Sequence, residues 1–112
     1  MEFTIGQKDE TQVITASGKI MGEPDEASLV EAVNGLINQG HTNVVMDLSK
    51  VTWMNSRGIG MCISALVSLR NKGGDFRLAG ACDVVSSIME KCRIDRVFKC
   101  FDSVDEAIAS FR

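Results

Sequence analysis

"NVVMDLSKVTWMNSRGIGMCISAL", residues 43 to 66, is the stretch whose reading decides the fold. Its first six residues, "NVVMDL", are too few for a helix and rich in branched side chains, which reads as a short buried strand. Its far end continues into "IGMCISALVSLRNKGG", where Ile59, Cys62, Ile63, Leu66 and Leu69 recur at spacings of three and four until Gly73 and Gly74 stop the helix. Between them, "SKVTWMNSRGIG" reads as a loop leaving the carboxyl end of the strand. Strand, loop and helix in that order form a unit of an α/β sheet, and such loops are where ligands and partners usually meet the fold.

The flanking sequence supports this frame. Residues 2 to 7 and 12 to 20 are strand-like and are split by the charged "KDET", which suggests an antiparallel hairpin. "PDEASLVEAVNGLINQG" opens with proline and acids, carries Leu29, Val33, Leu36 and Ile37 at helical spacing, and stops at Gly40. Downstream, "DFRLAG" reads as a strand, "VVSSIMEKC" as a helix capped by Asp83, and "VFKCF" as a short last strand. A final helix starts at a capping box, Ser103 with Glu106. The expected fold class is α/β: a mixed sheet with an N-terminal antiparallel hairpin, followed by parallel strands with alternating helices.

Composition narrows the function classes. A chain of 112 residues, 45% hydrophobic and 24% charged, is expected to be one domain over residues 1–112. Twelve Lys and Arg against fifteen Asp and Glu give a formal charge of -3 with no basic stripe, which argues against nucleic acid. No run is long and apolar enough for a membrane span, and "MEFTIGQKDE" has no signal-peptide character, so a cytoplasmic location is expected. Cys62, Cys82, Cys92 and Cys100 form no C-x-x-C pair and are expected as buried thiols, with no metal or cofactor site. A self-contained core of this size points to a monomer.

Within the loop, Ser56 has two readings. It can be an N-cap, a role Asn55 fills equally well, or a phosphoryl acceptor made comfortable by the positive end of the helix. Gly58 and Gly60 each cost the helix about 1 kcal/mol relative to alanine, so close backbone approach or free amides should favour them. Trp53, Met54 and Met61 either close the end of a core or, if exposed, anchor a protein contact. Asp47 either satisfies amides of the loop or assists chemistry at Ser56. Enzyme readings are weak: "NSRGIG" lacks the lysine of a P-loop and the pattern of a nucleophile elbow. The one histidine, His41, stands in the distant turn "QGHTN".

On "ITASGKI", "NVVMDLSKVTWMNSRGIGMCISAL" and "GGDFRLAGACDVVSSIMEKCRIDRVFKCFDSVDEAI", the whole chain resembles the STAS domain family, in particular the small single-domain anti-sigma factor antagonists. In the family pattern an aspartate precedes the phosphorylatable serine, followed by a hydroxyl residue, glycine, an aliphatic residue and glycine. Here Asn55 stands at the aspartate, Ser56 at the acceptor and Arg57 at the second hydroxyl residue, while Gly58, Ile59 and Gly60 match. Where the family often carries an acid after the first hairpin this chain has Met21, with Glu23 and Asp25 close by.

The resemblance implies partner switching: the unphosphorylated protein binds an anti-sigma factor that is also a serine kinase, phosphorylation of Ser56 ends the association, and a serine phosphatase restores it. The contact surface it implies comprises Met21, Glu23, Asp25, Trp53, Met54, Asn55, Arg57, Gly58 and Met61. The protein is then a ligand and a kinase substrate, with no catalytic residue and no cofactor. The alternative is a constitutive STAS interaction subunit of a signalling or transport complex, to which Asn55 and Arg57 point.

Overall fold

The structure, a computed structural model, describes residues 1–22 and 25–111; Glu23, Pro24, Arg112 and the side chain of Asp25 lie outside it. Five strands form one sheet in the order β1-β2-β3-β4-β5. β1 (Glu2–Lys8) and β2 (Thr11–Ile20) are antiparallel, and β3 (Asn43–Met54), β4 (Asp75–Ala79) and β5 (Cys100–Phe101) follow in parallel. Helices α1 (Asp25–Asn38), α2 (Ser56–Arg70), α3 (Asp83–Lys91) and α4 (Val104–Ala109) alternate with the strands after the hairpin. The mixed sheet expected from the sequence is present.

The hairpin turn is tighter than "KDET". Strand pairing continues to Lys8↔Thr11, and Asp9 and Glu10 make the connection with φ of 52° and 67°. Positive φ at both turn residues matches the twist of the paired strands.

β3 differs most from the sequence reading. "SKVTWM" is the second half of a twelve-residue strand, not a loop, because β2 is long enough to pair with it: Ser17↔Lys50, Gly18↔Val51, Lys19↔Trp53 and Ile20↔Met54. The register slips between Thr15 and Ser17 and again between Gly18 and Lys19, each time with an extra residue on β3. Two bulges break the period-two pattern on which strand recognition rests. The inward positions pass from Val44, Met46 and Leu48 to Val51 and Met54.

The last strand shrinks to Cys100–Phe101. Residues 94–96 form a short 3-10 turn entered through Arg93 at φ 58°, which lets Phe98 pack edge-on against Phe76 at 6.1 Å. Cys82, not Asp83, is the cap residue of α3, and it makes no side-chain capping bond. Ser103 caps α4 as expected, accepting from the Glu106 amide at 3.2 Å.

The larger core lies between one face of the sheet and α1, α2 and α3. Ile14, Leu29, Val33, Met46, Leu66 and Phe76 are fully buried there. On the other face α4 covers Val45 and Ala79 with Ala107 and Ile108. Asp75 ties the two layers together by accepting from Arg70 Nε, Arg77 Nε and its neighbour's amide, all at 3.0 Å. Burial raises the Asp75 carboxyl, but these hydrogen bonds and charges outweigh it and hold the group below the ordinary carboxylate range. Arg77 also stacks on the Phe111 ring, 3.9 Å from its centroid.

The cysteines depart from expectation. Only Cys62 is buried, and burial pushes its thiol up to about 12; Cys82, Cys92 and Cys100 are exposed. Cys82 reaches the Val51 carbonyl at 3.5 Å and Cys100 that of Phe98 at 3.7 Å, so backbone oxygens near the sheet accept these two thiols.

Candidate functional site

Three segments converge at the carboxyl end of β3: the end of β2 with Met21 and Gly22, the Trp53–Met54 end of β3, and the start of α2. The Asn55 amide donates to the Ile20 carbonyl at 3.1 Å, so α2 begins against the end of β2. Gly58 makes that approach fit, since a Cβ there would stand 2.2 Å from the Ile20 carbonyl oxygen. Gly22, at φ +89°, does the same for the outgoing turn: its Cβ would lie 2.8 Å from Arg57 Cβ. Close backbone approach thus explains Gly58. Gly60 faces open space, and nothing in the structure requires it.

Asn55 is the N-cap of α2. Its backbone is extended (φ -108°, ψ 178°), and its Oδ1 accepts from the Gly58 amide at 2.8 Å. Ser56 is therefore not the cap. It is the first helical residue, exposed, and its hydroxyl has no hydrogen-bond partner among the described residues. The first turn of α2 contains no acidic side chain, so this fifteen-residue helix does not offset its own positive end, and Arg57 adds a cation.

The side chains expected near Ser56 divide by burial. Trp53 is 45% exposed, which excludes the core role open to it from sequence; the two bulges turn Val51 and Met54 inward and leave Trp53 outward, opposite Lys19. Met21 is 38% exposed. Arg57 is exposed and Asn55 half-buried. Met54 and Met61 are instead core residues, 3% and 0% exposed, and Gly58 is buried against β2, so the structure withdraws all three from a contact surface. Glu23 lies outside the described residues, as does the side chain of Asp25.

Lys19 is the residue that sequence reasoning missed. It is exposed and adjoins Trp53 across the strand pair, a neighbour revealed only by the shifted register. Asp47 accepts the Ser49 amide at 3.0 Å and sits in mid-strand, on the order of 20 Å of extended chain before the end of β3. It serves local amides and does not reach Ser56. His41 precedes the opposite end of β3, so no imidazole stands beside Ser56 to act as its base. Among the described residues no group of three His, Cys, Asp or Glu side chains is placed to hold a metal, and no helix is long and apolar enough to cross a membrane.

The fold and this corner define a class: a mixed α/β domain that presents a serine at a helix start below a bulged strand pair. The family model for the STAS domain matches residues 3–107, and the chain belongs to that family. Among curated relatives, a candidate anti-sigma factor antagonist from Thermotoga maritima is 28% identical over 76 residues, 68% of this chain and 67% of its own. A crystal structure of a candidate antagonist from T. maritima superposes with a TM-score of 0.86 at 21% identity, covering 96% of this chain and 92% of that one. The Bacillus cell fate determinant SpoIIAA in its phosphorylated form gives 0.73 at 18% identity, covering 99% of this chain and all of that one (100%).

Proposed function

We propose that this protein is an anti-sigma factor antagonist that works by partner switching, with Ser56 as the phosphoacceptor. The single observation that carries the reading is the division of labour at the start of α2. Asn55 caps the helix, which leaves the Ser56 hydroxyl exposed and without a partner among the described residues, in the corner to which the exposed Met21, Trp53 and Arg57 also belong. Unphosphorylated, the exposed corner binds an anti-sigma factor that is also a serine kinase; phosphorylated, it releases that partner until a serine phosphatase removes the group. The relatives support this role: one is a candidate antagonist, and a fold neighbour is a phosphorylated protein.

Physical chemistry supports a switch here. Phosphoserine brings roughly -1.5 to -2 charge at pH 7, set at the positive end of a helix with no acid in its first turn. The group is tolerated by the free protein, which keeps its fold, while the face it presents to a partner changes sign. A loss of about 2.8 kcal/mol in binding corresponds to a hundredfold in affinity. Arg57 is placed to pair with the phosphate and to temper that change.

The test is mass spectrometry of the protein from its native host with and without phosphatase, together with binding of variants to the cognate kinase. Ser56→Ala is expected to bind like the unphosphorylated protein and Ser56→Asp roughly a hundredfold more weakly. No phosphate on Ser56 under any growth condition, with both variants binding like wild type, sinks the switch. That outcome promotes a constitutive interaction subunit, the reading favoured by the amide of Asn55 and the cation of Arg57 at positions where the family pattern has an aspartate and a hydroxyl residue.

A further inference from the structure

The two edges of the sheet are unequal. β5 is two residues long and α4 packs against it. β1 has seven residues, six exposed and one half-buried, and pairs only with β2. Its outer side presents a row of backbone groups, a ready template for another strand. Ile5, in its middle, is 43% exposed.

The sequence of β1, "EFTIGQK", complements itself when run antiparallel. With Ile5 opposite Ile5 of a second copy, Thr4 falls opposite Gly6, Phe3 opposite Gln7, and Glu2 opposite Lys8. All seven residues are then paired, and the two ends carry opposite charges. We propose that β1 is a homodimerisation edge, at which two copies pair antiparallel about a two-fold axis through Ile5 and extend the five-stranded sheet to ten.

The faces agree with this register. Gly6 lies opposite Val13, which packs with the α4 cluster, and Lys8 reaches Asp105 in the first turn of α4, so Glu2, Thr4, Gly6 and Lys8 share the α4 face. A two-fold axis perpendicular to the sheet keeps that face common to both copies, which brings the partner's Glu2 to the same side as Lys8. Lys8 keeps Asp105 and faces the partner's Glu2 as well; its side chain is 56% exposed. On the other face the two Ile5 side chains cover each other. Opposite charges across a strand pair are favourable and like charges are not, and the symmetry supplies each contact twice.

The dimer runs against the monomer expected from a self-contained core. It is built from β1, which contributes no residue to the Ser56 corner, and β1 pairs with β2 alone. It therefore stands or falls independently of partner switching. A contact confined to one strand edge belongs at the weak end of protein interfaces, so association should depend on concentration in the range from roughly micromolar to millimolar.

The test is sedimentation velocity of the full chain over that range, with the Glu2→Lys and Lys8→Glu chains alone and mixed. Wild type is expected to pass from monomer to dimer as concentration rises. Each single reversal sets like charges opposite one another and should weaken the dimer at least about tenfold. An equimolar mixture of the two reversed chains restores every opposite-charge pair and should dimerise at least as well as wild type. Circular dichroism checks that both variants are folded; these positions are exposed, so both should be. A wild type that stays monomeric throughout, an assembly larger than a dimer, or a mixture that dimerises no better than the single variants overturns the proposal.

Discussion

The two halves of β3 do different jobs. From Asn43 to Leu48 the strand is covered on both faces: Val44, Met46 and Leu48 face the large core, and Val45 faces α4. From Ser49 to Met54 only Val51 and Met54 are buried, and four of six residues are exposed. The first half is held by packing. The second is held by pairing with β2 and by two inward side chains, so its outward face is free to carry Trp53 to the edge of the Ser56 corner. One strand thus joins a rigid support to a presented surface, and position along it separates stability from recognition.

That division predicts unequal responses to truncation. Met46→Ala should cost about 2–5 kcal/mol, as large-to-small changes in packed cores do, whereas Trp53→Ala should cost under about 1 kcal/mol in stability and act on partner binding instead. Chemical denaturation of both variants checks this, and similar losses would erase the contrast between the halves.

Gly58→Ala comes next, at about 1–3 kcal/mol, because the added methyl meets the Ile20 carbonyl and backbone cannot step aside cheaply. Gly60→Ala, in open space, is the control and should be neutral or slightly stabilising, as helix propensity favours alanine. Thermal melts of the pair sharpen the claim that the corner is built by contact between α2 and the end of β2.

The smallest pair tests the cap. Asn55→Ala should lose about 1 kcal/mol, and Ser56→Ala less than about 0.5 kcal/mol. The reverse order would return Ser56 to a structural role and remove the observation on which its proposed function rests.

Much of this was legible in the sequence. Hydrophobic spacing located α1 and α2, capping signals pointed to α3 and α4, and the alternation after the hairpin gave the mixed sheet, because periodicity and capping are local properties. What misled was equally physical. "SKVTWM" lacks alternation because its two bulges exist only in relation to β2, so neither the strand nor the exposure of Trp53 could be read from it. Three cysteines are exposed although cysteine is usually buried, since burial depends on which elements end up above a residue.

At the site, the residues from Asn55 to Gly60 announced a helix start and a serine near its amides. The sequence left open which of Asn55 and Ser56 caps, and it said nothing of Lys19. Those points depend on geometry between segments 35 or so residues apart, fixed by the approach of Gly58 to Ile20 and by strand register. The sequence by itself determined the order of elements and the chemistry available at the loop, because both follow from local spacing and residue type. Only the tertiary structure decided which of those side chains face solvent, because exposure is set by what packs against them.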